Sequence, residues 1–107
     1  MPVDTQNPRK RAIVSPDAPS GTGPYSAALA AGNFVFVSGQ GPLDPKTHEI
    51  MGTGIEEQTK LTFSNVDALL KAAGASLRYV VKVNVYLSDM DDYPSFNAIY
   101  GRLFEQP

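Results

Sequence analysis

Two stretches of this 107-residue chain exclude regular structure, and they decide where everything else can go. Residues 16–24 (PDAPSGTGP) hold three prolines and two glycines in nine positions. Proline has no N–H to give a helix or a central strand, and glycine loses the most backbone entropy on ordering, so this segment reads as loop. Residues 39–54 (GQGPLDPKTHEIMGTG) repeat that composition, with a short strand expected at residues 49–51. Between the two loops, SAALAAGNFVFVS sets residues 26–31 and 33–38 about Gly32-Asn33, which reads as a β-hairpin. Its second arm, FVFV, suits a pleated surface, whereas alanine in the first arm favours helix. Residues 11–15 (RAIVS) are expected as a short edge strand, after a loose lead-in at residues 1–10 (MPVDTQNPRK).

Past the second loop the apolar period changes from two to 3.6. Ile55, Thr59, Thr62, Phe63, Val66, Leu69, Leu70 and Ala73 make a one-sided stripe, the mark of a helix that buries one face. Thr53 with Glu56 three residues later fits a capping box, Glu56 and Glu57 sit where the helix dipole favours negative charge, and Gly74 is placed to end the helix. Residues 79–87 (YVVKVNVYL) read as the best strand in the chain. Val81, Val83, Val85 and Leu87 form one face; Val80, Lys82, Asn84 and Tyr86 form the other. That half-polar, tyrosine-bearing face suits a partner subunit or a ligand better than bulk water. A second helix is expected from about residue 92 to 106, capped by Asp92, with Pro94 in its first turn. Phe96, Ile99, Tyr100, Leu103 and Phe104 mark its inner side.

Hairpin, helix, strand, helix is an α+β arrangement: one domain, residues 1–107, with two helices on one face of a mainly antiparallel sheet. A proline just past a helix usually begins the turn into the next element, so Pro107 leads to the expectation of one or two C-terminal strands that the chain does not contain.

The chemical inventory narrows the function. There is no cysteine, which removes disulfides, thiolate zinc sites and a cysteine nucleophile. A single histidine, His48, makes a Ser-His-Asp triad or a two-histidine metal site hard to build, and its turn (Pro45-Lys46-Thr47-His48) reads as surface. The net charge of -2 provides no field for nucleic acid or anionic membranes. Arg9-Lys10-Arg11 read as solvated charges. Asp89, Asp91 and Asp92 lack the glycine and distal glutamate of a calcium loop and fit helix N-terminal charge. No apolar run approaches the ~20 residues that span a bilayer, and no signal-peptide core is present. The expectation is a cytoplasmic domain working through backbone, hydroxyl, amide and carboxylate groups, with no metal and no organic cofactor.

Four ordered motifs carry a resemblance. They are Gly23-Pro24-Tyr25-Ser26; Phe36-Val37-Ser38-Gly39-Gln40; Ala72-Ala73-Gly74 followed by Val80-Val81-Lys82-Val83; and Asp89-Met90-Asp91-Asp92-Tyr93 with Asn97 and Tyr100. In order and spacing the chain resembles the RidA (YjgF/L-PSP) family over residues 13–107. The resemblance implies a chorismate-mutase-like, ferredoxin-like fold and a homotrimer packed sheet against sheet. It also implies three intersubunit clefts that hydrolyse small 2-imino acids to 2-oxo acids and ammonia without a cofactor. It places Tyr25 and Asn97 in the cleft as catalytic candidates, and Ser38, Gly39 and Gln40 on its substrate-binding wall, with the Gly39 N–H on the substrate carboxylate. Phe36, Val83 and Tyr86 could line the cleft, but core or interface packing is expected of each.

The same resemblance expects an Ala-Arg pair after the final proline, the arginine gripping the carboxylate, and a later glutamate positioning water. The sequence ends at Pro107, and Arg102, beside Leu103 and Phe104 on a helix, is a poor substitute. From residues 1–107 alone, poor turnover is therefore expected. Two other readings stand beside the deaminase. One is RNA binding, endoribonuclease activity or translation inhibition; the other is a metabolite-binding or chaperone-like homologue without turnover.

Overall fold

The structure is a computed structural model that describes residues 9–21 and 23–107. Most of the expected lead-in, residues 1–8, therefore lies outside the described residues. Gly32 adopts φ 58°, the left-handed conformation that a two-residue hairpin turn requires, and the chain doubles back on itself there. The arms are β2 (Ala28–Ala31) and β3 (Phe34–Val37), paired antiparallel with Ala28 opposite Val37 and Ala31 opposite Phe34. β1 (Arg11–Ile13) adds to the other edge of β2, so the sheet runs β1-β2-β3 in chain order.

Alternation along the strands gives this sheet two unlike faces. Ile13, Ala28, Ala30 and Val37 point inward and pack with Leu69, which is fully buried. Their register partners one position away, Ala12, Leu29, Ala31, Phe34 and Phe36, form the other face, and every one of them is apolar. Phe34 and Phe36 are 63% and 59% exposed, with ring centroids 6.4 Å apart.

α1 (Ile55–Ala72) lies over the inner face. Its start differs from the expected capping box. Gly54 is the N-cap and makes no side-chain cap, while the Thr53 N–H donates to Glu57 Oε2 at 3.3 Å. With the helix beginning at Ile55, Glu57 rather than Glu56 occupies the third helical position, from which a carboxylate reaches back. The helix ends as expected at Gly74, whose φ is 82°. The Ala75 N–H donates to the Leu70 carbonyl (2.8 Å) and the Gly74 N–H to that of Lys71 (3.0 Å), closing a Schellman motif. Gly74→Ala places a Cβ in the left-handed region, so it is expected to lower stability by about 1 kcal/mol, measurable by urea denaturation.

α2 (Tyr93–Leu103) packs on α1 through aromatic rings. Phe63 of α1 has its ring centroid 6.4 Å from Phe96, 5.7 Å from Tyr100 and 5.5 Å from Phe104. Asp92 is the N-cap residue, but its side chain makes no capping bond. A 3-10 turn, Met90–Asp92, precedes the helix, and Asp89 Oδ1 accepts from the Asp91 N–H at 2.9 Å. The helix stops at Leu103, short of the expected residue 106, because Phe104 turns to extended backbone and meets Phe63 edge-on.

One expectation fails. Residues 79–87 are not a strand of this sheet: Leu77–Tyr79 is a 3-10 turn, and residues 80–87 join no ladder. Their two-residue alternation is only partly kept: Val83 and Leu87 are half-buried, but Val81, expected on the same face, is 89% exposed. Period predicts faces, but a strand also needs a hydrogen-bonded neighbour, and among the described residues the sheet ends at β3. The short strand expected at residues 49–51 is reduced to a single bridge, Leu43 with Ile50. The architecture is nevertheless the expected α+β class. Among the described residues no helix is long and apolar enough to cross a membrane.

Candidate functional site

The hairpin register brings the start of β2 beside the end of β3, and this places four of the five candidate residues together. The Ser38 N–H donates to the Ala27 carbonyl (3.0 Å) and the Ser38 Oγ–H to the Ser26 carbonyl (2.6 Å). Gln40 folds back so that Nε2 donates to the Ser38 carbonyl at 3.2 Å. Both bonds on Ser38 hold the Ser38-Gly39-Gln40 segment against the chain that leaves Tyr25. Gly39 is exposed, and a side chain built there meets nothing within 4 Å. The backbone N–H groups of Gly39 and Gln40 donate to no described residue. Two neighbouring, unspent donors at an open glycine suit a small anion such as a carboxylate.

Tyr25 stands at the other side, 54% exposed. Its ring lies over two glycines: a Cβ on Gly21 or Gly23 would come within 3.1 or 3.0 Å of it. Gly21 and Gly23 are thus a bed for an aromatic ring. A cavity of about 230 Å³ opens beside the ring, bounded by Val14, Pro19, Ser20, Tyr25 and Ala27.

His48 does more than occupy a surface turn. It takes φ 62°, is half-buried, and brings Nε2 to 3.3 Å from Ser20 Oγ on the cavity wall. The turn before it is set by Asp44, whose Oδ1 accepts from the N–H groups of Lys46 (2.8 Å) and Thr47 (3.0 Å). The Thr47 N–H, then that of Lys46, hold this carboxyl below its ordinary range.

Asn97 is exposed on α2, and among the described residues no hydrogen bond ties it to the other four. Arg102 is exposed in the last turn of the same helix. Asn65 and Gln58 escape the sequence reading although both hold the loop that follows Gln40. Asn65 is buried and donates through Nδ2 to the carbonyls of Gly41 and Leu43, each at 3.0 Å. Gln58 Nε2 donates to the Gly52 carbonyl at 3.3 Å. The signal that could have found them is two amide side chains seven residues apart, on one line of an otherwise apolar helix face.

Residues 15–107 match the family described as Endoribonuclease L-PSP. The chain belongs to the RidA/YjgF/L-PSP family. A RutC family protein of Pyrococcus horikoshii is 48% identical over 95 residues, covering 89% of this chain and 75% of the relative. A 2-iminobutanoate/2-iminopropanoate deaminase of Dermatophagoides farinae is 37% identical over 98 residues, covering 92% of this chain and 77% of the relative. The crystal structure of Escherichia coli TdcF with bound serine superposes with a TM-score of 0.81 at 35% identity, covering 86% of this chain and 72% of that one. Tyr25, the Ser38–Gln40 wall, Asn65 and Asn97 all fall within the part that matches the RidA/YjgF/L-PSP family.

Proposed function

We propose that this RidA-family protein hydrolyses small 2-imino acids to 2-oxo acids and ammonia, in clefts between the subunits of a cytoplasmic homotrimer. The observation that carries this reading is the open Gly39, with the unspent N–H groups of Gly39 and Gln40 beside the exposed Tyr25. Two features of relatives support it: one is a 2-iminobutanoate/2-iminopropanoate deaminase, and another was crystallised with serine, a small amino acid.

The chemistry asks little of the protein. An imine carbon is already electrophilic, so binding, orientation and stabilisation of developing charge supply the acceleration. Water adds to C2, its protons pass to the nitrogen, and the C–N bond breaks to leave a 2-oxo acid and ammonia. In this proposal the N–H groups of Gly39 and Gln40 hold the carboxylate, with Ser38 keeping that wall in place. The Tyr25 hydroxyl offers a hydrogen bond across the cleft, and the apolar cavity beside it takes a short aliphatic side chain. Asn97 completes the cleft by hydrogen bonding. No metal or organic cofactor takes part.

Assembly accounts for the outer sheet face. Leu29, Phe34 and Phe36 form a continuous apolar surface with the small residues Ala12 and Ala31, and such a surface is ordinarily covered. RNA cleavage is disfavoured, because it calls for an acid and a base on a basic surface. The chain has net charge -2, and its one histidine lies within hydrogen-bonding distance of Ser20.

The test generates 2-iminobutanoate in situ with threonine dehydratase and traps it with semicarbazide. Residues 1–107 alone are expected to lower the semicarbazone yield weakly, and a protein that also carries the carboxylate-gripping arginine and the glutamate to lower it in proportion to its concentration. An unchanged yield from the latter would overturn the hydrolase reading, even if 2-oxobutanoate still binds.

A further inference from the structure

Residues 41–52 leave the Ser38–Gln40 wall, reach out to His48 and return to the start of α1 as a strap held at three places. At its tip, His48 meets Ser20. Its far end is gripped by Gln58 at Gly52, and its near end by Asn65 at Gly41 and Leu43. Within the strap, the Met51 N–H donates to the Pro42 carbonyl (2.7 Å) and the Asp44 N–H to that of Glu49 (2.9 Å). Gln58 and Asn65 are seven residues apart, about two turns and about 10 Å along one side of α1, so a single helix face holds both ends.

The grip at Asn65 has the greater bearing on the site. Asn65 is only 4% exposed, one of two buried polar residues in the described chain. Both bonds of its amide nitrogen go to carbonyls of the strap. The Gly41 carbonyl also accepts from the Leu43 N–H at 2.9 Å, which makes a tight turn one residue beyond Gln40. Gly39 itself is braced by nothing beyond its neighbours, since a Cβ there would stand in open space. The direction of the Gly39 and Gln40 N–H groups is therefore set from two sides: before them by Ser38, bonded to Ser26 and Ala27, and after them by Asn65, bonded to Gly41.

We propose that Asn65 is a positioning residue for the carboxylate-binding wall: it acts through Gly41 to aim the Gly39 and Gln40 N–H groups at a small carboxylate ligand. This rests on the functional reading above but is tested separately from it. Removing the amide leaves the half-buried Leu43 carbonyl without a donor and the Gly41 carbonyl with the Leu43 N–H alone, and the turn after Gln40 relaxes. The near end of the strap then loses its fixed relation to α1 while Ser38 keeps its own bonds.

The experiment records ¹H–¹⁵N spectra and 2-oxobutanoate titrations on the wild type, Asn65→Leu, Asn65→Asp and Gln58→Met, well below each melting temperature. In Asn65→Leu the free-protein resonances of Gly39 and Gln40 are expected to move while those of Ala28–Ala31 stay, and 2-oxobutanoate to bind about tenfold more weakly. Asn65→Asp keeps the volume but turns oxygens toward two carbonyls; it is expected to weaken binding at pH 8. Binding should recover partly as the pH falls and the carboxyl gains a proton to donate. That recovery remains readable if the leucine variant fails to fold. Gln58→Met is expected to move Gly52 and leave Gly39 in place.

Unchanged Gly39 and Gln40 resonances and unchanged affinity in the Asn65 variants, whatever happens to the melting temperature, would show a merely structural asparagine and overturn the proposal. Equal displacement of Gly39 by Gln58→Met would overturn it as well, since the effect would then be general loosening. If the wild type does not bind 2-oxobutanoate, the functional reading fails, and the free-protein shifts still decide whether Asn65 positions the wall.

Discussion

Leu69→Ala is expected to remove roughly 3 kcal/mol of stability, the middle of the range for emptying a well-packed leucine site. Among the described residues Leu69 is the one large side chain with no exposed surface, and it clusters with Ile13, Ala18, Ala27 and Ala28. Three of those four neighbours are alanines, which have no further rotamer with which to fill the space. The cavity should therefore persist rather than collapse, and its cost adds to the lost transfer energy. A domain of this size melts about 4–8 °C lower for each kcal/mol lost, so a fall of roughly 12–24 °C is expected by circular dichroism. A change under about 3 °C would mean that α1 is not packed on this sheet in the manner described.

The second large effect concerns the opposite face. Changing Phe34 and Phe36 together to lysine is expected to convert the proposed trimer into monomer, with far-UV circular dichroism unchanged. Both rings stand clear of the helices, so the monomer core loses nothing. In an assembled face each ring would contribute about 1.5–3 kcal/mol by burial, and clustered ammonium groups would add repulsion. Together these should weaken association by roughly a hundredfold or more. Multi-angle light scattering reads the outcome directly. Survival of the trimer at micromolar concentration would show that this face is not the interface.

What could be read from the sequence and what could not divides along a physical line. The hairpin was legible because Gly32-Asn33 is a local rule: one turn fixes the register, and the register then sets Ser38 beside Ser26. Much of the candidate site follows from that turn alone. The end of α1 was legible for the same reason, through Gly74. Residues 80–87 were misread because alternation reports which side chains share a face but not whether a backbone neighbour exists. The start of α1 was missed by one position, which moved the back-reaching carboxylate from Glu56 to Glu57.

Asn97 illustrates the other limit. Its place on α2 was foreseen, but where α2 goes is decided by the Phe63, Phe96, Tyr100 and Phe104 rings, which pack it on α1 and follow no local rule. Asn65 was overlooked because an amide within an apolar stripe resembles an interruption. Only the strap's carbonyls reveal why the stripe accepts it.

The order of residues along α1 has a mechanical consequence. Phe63 faces the second helix, Asn65 the strap and Leu69 the sheet. At the rise of an α-helix the anchor lies about 3 Å from the first and about 6 Å from the last. The helix is thus a short lever with two seats and the strap's fastening between them. A tilt imposed at either seat reaches Gly41 without passing through the hairpin, so side chains remote from Tyr25 bear on the turn that follows Gln40.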